Sequence, residues 1–374
     1  MRLIIILLLS SFFSCENQPT ESTKTEETEV KTEPIQWVNY QAKNNPKGKH
    51  IVLISGDEEY RSEESLPQLA KILTQYHGFH CTVLFAQDPE KSGMIDPNYS
   101  FNIPGMEQLK EADLMILFTR FRALPSEQMQ HLDNYLRDGK HLIAIRNSTH
   151  AFNFKDKNNP FAHYGWNYEG GITDWHLGFG KNILGETWYT HHGHHKHQST
   201  RGLIAPDAKN HPLVNGIEDG AIWGPTDVYG IRMPMGGDAQ SIILGQSIDR
   251  TEPFDEADPF YGLKESDQKT STISNSKKYN PNDPMPPIVW TKSYQIPNGK
   301  KGQSVTSTIG AATDMVDEEV RRLFVNTTYH LLDLEVPQKA KVGIVGKYSP
   351  SAFAFHKDEY WEEKGLKVSD HLWK

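Results

Sequence analysis

Two cysteines in 374 residues leave little room for disulfide chemistry. A basic surplus is missing as well. Lys and Arg number 39 against 48 Asp and Glu, a net charge of −9. Phosphate binding needs the opposite balance, so nucleic acid is excluded as the main partner. No apolar run is long enough to cross a bilayer, because the stretch Leu3–Phe13 is too short. The chain has no G-x-S-x-G elbow, no H-E-x-x-H pair, no phosphate-cradling glycine loop and no repeat of fixed period. Apolar and charged shares of 37% and 23% are ordinary, which excludes wholesale disorder and multi-span membrane classes. What the sequence holds in excess is histidine. There are 17, and five of them fall within His191–His197.

The N-terminal 14 residues read as an export signal, with Arg2 ahead of the apolar run and Cys15 directly after Phe12-Phe13-Ser14. This resembles a bacterial lipoprotein signal, which implies lipidation at Cys15 and leaves Cys81 without an intramolecular disulfide partner. Phe12 stands where the usual pattern has Leu. Residues 15–36 then form an acidic linker. Positions 16–36 hold six Glu and two Lys, so they contribute −4, and the rest of the chain with Arg2 set aside carries only −6. Such a segment buries too little to offset its ordering entropy and is expected to be a flexible stalk. The expected location is the cell envelope, periplasmic or associated with the outer membrane, with the membrane as a partner through the lipid alone.

From His50 onward, short apolar runs alternate with amphipathic segments. His50–Ser55, Cys81–Phe85, Asp113–Thr119 and His141–Arg146 read as strands, and Ser62–Tyr76 and Ser126–Arg137 as helices. Ser126 reads as an N-cap, and Gly139 as a helix terminator. Strand and helix alternation of this kind predicts an α/β fold with a mostly parallel, doubly wound sheet. Beyond residue 150, Glu186–Thr190, Gly202–Ala205, Ser241–Gln246, Ile288–Lys292 and Ser304–Ile309 read as strands, and Glu318–Leu334 as a closing helix. Residues 251–287 are polar and Pro-rich and read as a long surface excursion. The expected organisation is a domain over 49–334 and a C-terminal extension over 335–374.

Ligands of open α/β sheets bind beyond the carboxyl ends of the strands, which nominates three segments. Gly56–Arg61 carries three carboxylates and an arginine, and reads first as a charged, capped turn. Arg146–His150 is a polar cluster at a strand end, with Arg146 and His150 its leading members. His191–His197 is the third, since imidazole is both the common metal ligand and the side chain titrating nearest neutral pH. On an extended backbone His192 and His194 share a face, so those two could hold a divalent metal if another residue completed the site. Trp223, Asp227 and Tyr229 lie close by in sequence, with aromatic faces suited to sugar stacking and a carboxylate suited to pairing with a histidine.

Taken together, several separated motifs resemble the trehalose-utilisation, or ThuA-like, family over about 49–334. They are HIVLISG at His50–Gly56, Ser148-Thr149-His150-Ala151-Phe152, Leu184-Gly185 with His191-His192-Gly193, His211–Gly216, Thr226-Asp227-Val228-Tyr229, Pro287–Thr291 and Ser304–Gly310. The resemblance implies a flavodoxin-like three-layer sandwich similar to class I glutamine amidotransferases, and processing of disaccharides or keto-sugars. No cysteine lies near Ser148, so glutamine hydrolysis is contradicted. Two positions depart from the family pattern: Thr226-Asp227 replaces an acidic pair, and Gly310-Ala311 replaces Gly-His.

The resulting expectation is an exported sugar-processing hydrolase or isomerase, with a small carbohydrate as its partner. His150, with His191 or His194, would do the acid–base work and Asp227 would orient a histidine. Arg146, Arg201, Trp223 and Tyr229 would contact substrate. The alternatives are a non-catalytic carbohydrate-binding lipoprotein and a metal-binding protein built on the His cluster.

Overall fold

The computed structural model describes residues 34–44 and 46–373. The signal segment and Cys15 lie outside the described residues, as does most of the linker. Eleven strands form one sheet. They are β1 (Trp37–Tyr40), β2 (His50–Gly56), β3 (His80–Phe85), β4 (Leu114–Thr119), β5 (His141–Ile145), β6 (Gln198–Ile204), β7 (Ile222–Gly224), β8 (Gln240–Asp249), β9 (Lys269–Thr270), β10 (Pro287–Tyr294) and β11 (Gly302–Ser307). The order is β1-β3-β2-β4-β5-β11-β10-β8-β6-β7, with β9 on β8.

The core strands β3, β2, β4, β5 and β11 run parallel. Every other pairing is antiparallel, so the expected mostly parallel sheet holds for the core and not for the second half. The seven residues between Tyr294 and Gly302 show why: a parallel crossover needs a dozen or more.

Among the described residues four α-helices accompany the sheet: α1 (Ser62–His77), α2 (Ser126–Arg137), α3 (Glu318–Leu331) and α4 (Asp358–Lys364). Strand β2 shows how the layers form. Ile51 and Leu53 point into a cluster with Leu66, Leu69 and Leu73 of α1 and with Leu323 and Phe324 of α3. Val52 and Ile54 point the other way, among Met129, Leu132 and Leu136 of α2. Period-two alternation on a doubly covered strand thus yields two apolar faces, each closed by helices.

Helix α2 begins at Ser126, but Pro125 occupies the cap position and no side chain caps the turn. Gly139 ends this segment at φ 70°, a conformation that costs glycine little. Strand β1 lies ahead of residue 49 and pairs with β3. Residues 335–373 pack back onto the domain, burying Phe353, Trp361 and Val368, so the compact unit is wider than 49–334 at both ends. Among the described residues no helix is long and apolar enough to cross a membrane.

Between β2 and β4 the strand order reverses, and such a switch point opens a crevice at the carboxyl edge. The loops after β2, β4 and β5 all emerge there.

Candidate functional site

After β2, the run Asp57-Glu58-Glu59-Tyr60 folds into a tight turn. The Asp57 Oδ1 atom accepts from the backbone N–H of Glu59 at 2.9 Å and of Tyr60 at 2.5 Å. This is a capped turn, as the sequence suggests, and it also aims Glu59 into the site. After β5, Arg146–His150 forms a 3₁₀ turn fully inside the protein. Ser148 donates to the Leu117 carbonyl at 2.8 Å and accepts from Thr119 N–H at 3.3 Å, tying that turn to β4. A hydroxyl buried and engaged in this way is no exposed nucleophile.

The turn after β7 carries Thr226 and Asp227. Asp314 fixes it by accepting from the Thr226 hydroxyl and from the N–H groups of Gly310 and Ala311. Asp314 therefore sits where the two departures from the family pattern meet. A carboxylate at 226 would face it, whereas the Thr226 hydroxyl donates to it. The histidine loop is zipped onto the same turn, with the N–H groups of His192 and Gly193 donating to the Val228 carbonyl at 3.0 and 2.9 Å.

Asp227 is the centre of the arrangement. Its Oδ2 lies 2.9 Å from His191 Nδ1 and its Oδ1 lies 3.0 Å from His195 Nδ1. A carboxylate only accepts, so both Nδ1 atoms carry the proton. His195 Nε2 lies 3.5 Å from Glu59 Oε1. Burial raises the Asp227 pKa, but the charge and hydrogen bonds of His191 and His195 more than reverse this and hold it well below the usual carboxylate range. For His191, burial disfavours the charged ring and Asp227 outweighs burial, so its pKa rises above 6.5. Burial pushes Glu59 upward against the pull of His195.

His150 packs between Phe121 and Trp188, with ring centroids at 4.9 and 5.3 Å, and its Nδ1 meets the Thr149 hydroxyl at 3.2 Å. Burial, helped by the nearby positive charges of Arg120, His191 and Arg146, drives its pKa well below 6.5, so it is neutral. Trp188 also faces His191 at 5.8 Å and forms an aromatic wall with Trp166.

Several expected site residues are placed differently. Arg146 is fully buried and cannot touch substrate. Its guanidinium lies between the rings of Tyr60 at 4.1 Å and Tyr229 at 4.2 Å, and donates to the carbonyls of Asp227 and Thr308. Tyr229 is buried beside it, with its hydroxyl on Asn147 Oδ1 at 2.5 Å. Both support Asp227 from behind. Arg201 donates to the carbonyls of Gly220, Glu265 and Asp267, and Trp223 is buried edge-on to Phe260. Neither contacts a site residue.

His192 is also taken. Its Nε2 donates to the Pro281 carbonyl at 2.5 Å and its Nδ1 meets the Tyr279 hydroxyl, both from the excursion 251–287. His194 stacks on His197 at 4.2 Å, away from Asp227. The pair that could ligate a metal is thus not His192 and His194. Among the described residues, the group whose ligand atoms lie within 4.8 Å of one another is His191, His195 and Asp227.

Sequence reasoning nominated the segments that hold Glu59 and His195 without giving either residue a role, and passed over Trp188 and Phe353. The last is in the C-terminal segment, stacks on Tyr60 at 5.4 Å and meets His195 at 5.2 Å. Ala354 N–H donates to the Glu59 carbonyl at 3.0 Å, so this segment walls the site.

With that geometry in place, solved structures offer comparisons. A protein from Parabacteroides merdae described as ThuA-like is 13% identical, over 77% of this chain and 92% of its own, with a TM-score of 0.42. Another so described, from Bacteroides uniformis, is 14% identical over the same shares, with a TM-score of 0.42. The chain is similar to ThuA-like proteins. That is the family its motifs resemble. An exo-β-1,4-mannosidase from an Opitutaceae bacterium is 10% identical over 76% of this chain and 36% of its own, with a TM-score of 0.29. No family model and no curated protein matches the sequence.

Proposed function

We propose that this protein is an enzyme acting on a neutral sugar or keto-sugar, with His191 as the proton-transfer group and Asp227 as its orienting partner. One observation carries the reading. A fully buried carboxylate holds the Nδ1–H of His191, which fixes the tautomer and leaves Nε2 as the working nitrogen. The His191 side chain is 28% exposed, so that nitrogen belongs to the part of the site a substrate can reach. A base whose pKa lies near the working pH suits proton removal from a hydroxyl or from a carbon beside a ketone. Neutral His150 supplies a hydrogen bond, and Trp188, which packs against both His150 and His191, supplies an apolar face for a sugar ring.

The test is turnover by the wild type and His191→Ala across neutral disaccharides and their keto derivatives, with binding followed in parallel. The reading expects sugar to bind both proteins and only the wild type to turn it over. Equal turnover by both sinks it. Binding to both with no turnover by either favours the carbohydrate-binding alternative.

A second reading keeps the same three residues as cation ligands, since two imidazoles and a carboxylate suit zinc. It requires the Nδ1 protons to be absent. Elemental analysis of protein purified without a metal column decides it: a stoichiometric transition metal supports ligation, and its absence leaves the Asp–His pair. Anchoring at the cell envelope through Cys15 is proposed from the sequence alone, and metabolic labelling with a fatty acid tests it.

A further inference from the structure

Arg120 stands at the end of β4, where its N–H donates to the Gly56 carbonyl at 2.9 Å. The proton transfer at His191 makes no use of it, yet its contacts lead to His191 by two routes. By the first, its Nε lies 3.9 Å from Glu59 Oε2, and Glu59 Oε1 lies 3.5 Å from His195 Nε2. The His195 ring is 5.0 Å from that of His191. By the second, the guanidinium lies 4.4 Å over the Phe121 ring, and His150 and Trp188 carry the contacts on to His191. The two routes close a ring of side chains in which Arg120 and His191 take opposite places.

The guanidinium is fixed in its pose. Nη1 donates to Glu58, and the group lies over the rings of Phe121 and Phe355, the latter at 4.7 Å. Phe121 itself takes a φ of 50°, a strained choice for a residue with a side chain, and its N–H donates to the His150 carbonyl at 3.0 Å. Neighbouring Arg122 is fully buried with every nitrogen engaged, on the carbonyls of Arg120, Pro97 and Tyr99 and on Glu58. Arg120 differs. Its side chain is 20% exposed, and its Nη2 is neither buried nor bonded to any of the described residues. A positioned cationic donor is therefore left for a ligand.

The surrounding charges indicate which kind. Burial opposes the charge on Arg120, and the carboxylates of Glu58, Glu59 and Asp57 together outweigh it. A permanently anionic substrate group would meet those carboxylates as well. An oxyanion that forms only during the reaction needs one preorganised donor at the atom where charge develops.

We propose that Arg120 is a catalytic residue that stabilises the oxyanion of an enolate formed from a keto-sugar. The inference rests on the reading of His191 as the base. His191 Nε2 takes the proton from the carbon beside the ketone, the C–H pair forms the carbon–carbon double bond, and the carbonyl π pair moves onto oxygen. Nη2–H donates a hydrogen bond to that oxygen and keeps its proton. Return of the proton from His191 to the same carbon closes the cycle, so in D₂O the carbon gains deuterium.

Proton NMR of deuterium uptake by D-fructose and by the keto derivatives of the same sugar panel measures the step. Arg120→Met is expected to lower kcat for exchange by about 100- to 1,000-fold with KM nearly unchanged, and Arg120→Lys to recover part of the loss. Melting curves confirm that both variants fold. Calorimetry adds a readout without turnover, because the planar carboxylates of D-gluconate and D-arabinonate imitate the charged enolate. The wild type is expected to bind them more tightly than D-glucose and D-arabinose, and Arg120→Met to lose about tenfold or more of aldonate affinity alone. An unchanged exchange rate overturns the role, as does a loss confined to KM, or an aldonate affinity that Arg120→Met leaves intact. A parallel loss of neutral-sugar affinity also overturns it, since that marks a structural role. Exchange by His191→Ala at the wild-type rate sinks the base reading instead. With no exchange by the wild type that reading fails, and the aldonate measurement alone decides Arg120.

Discussion

The Nδ1 atom of His191 stands 2.9 Å from Oδ2 of Asp227, a carboxylate with no exposure of its own. The contact does two things at once. It fixes which imidazole nitrogen carries the proton, and it opposes the burial that would otherwise keep the ring neutral.

The titration of His191 follows from that contact. Its pKa lies above 6.5 in the folded protein because Asp227 outweighs burial. Replacing Asp227 with Asn removes the largest contribution that opposes burial and leaves Glu59 alone to favour the charged ring against burial and Arg146, so the His191 pKa is expected to fall. Nitrogen-15 chemical shifts against pH measure both. With its folded pKa raised, His191 contributes stability in full below about 6.5 and loses it as pH climbs through the folded value. Asp227, held below 3.8, contributes stability above that value and loses it on acidification. The pair is therefore most stabilising between those two limits, and it is one interaction counted once.

Arg146 is the counter-charge behind the pair. Arg146→Met keeps much of the volume but leaves Asp227 without the guanidinium 3.7 Å away, and strips two aromatic faces of their cation. Breaking a buried charge pair on one side costs about 3–5 kcal/mol, and a loss of that size is expected in urea unfolding. A loss under about 1 kcal/mol, the range of surface pairs, would show that the guanidinium is not supporting Asp227.

Phe353 links the C-terminal segment to the site. It is fully buried against Tyr60, Tyr261 and His195. Phe353→Ala is expected to destabilise the protein by about 3–5 kcal/mol, the usual cost of removing a buried aromatic ring. Turnover is expected to fall as well, measured at a temperature where the variant is folded, because the His195 ring loses its backing.

Cys81 lies in β3 with no exposure, and burial pushes its thiol up to about 12. Alkylation of the peptide containing Cys81 is expected to be negligible in the native protein near neutral pH, and complete in denaturant. Rapid native labelling, followed by mass spectrometry, would contradict the packing of that strand.

Much of the parallel half was legible. The run from β2 to β5 consists of short apolar strands between amphipathic helices, with Gly56 and Gly139 as punctuation, and boundaries read from those signals fall within a residue or so. The second half was harder because pairing direction leaves no mark on apolar periodicity. Residues 186–190 read as a strand but form an irregular segment, in which Thr187 donates to the carbonyls of Thr149 and Trp166. His150, His191 and Asp227 were visible as polar residues at element ends. Glu59 was hidden inside a turn that its neighbour caps. An extended backbone sets His195 with His197 on the face opposite His194, whereas the turn at residues 195–197 stacks His194 on His197 and gives His195 to Asp227. Phe353 lies far along the chain from everything it touches.

The most direct measurement is kcat/KM against pH for the wild type and Asp227→Asn on the same panel of disaccharides and keto-sugars. The wild type is predicted to turn over at least one, with activity rising through an apparent pKa above 6.5 as His191 loses its proton. Asp227→Asn is predicted to be slower by about 100- to 10,000-fold, the range set by loss of a positioned base and its orienting carboxylate. Turnover by Asp227→Asn at the wild-type rate, or no turnover of any sugar by the wild type, would contradict the account.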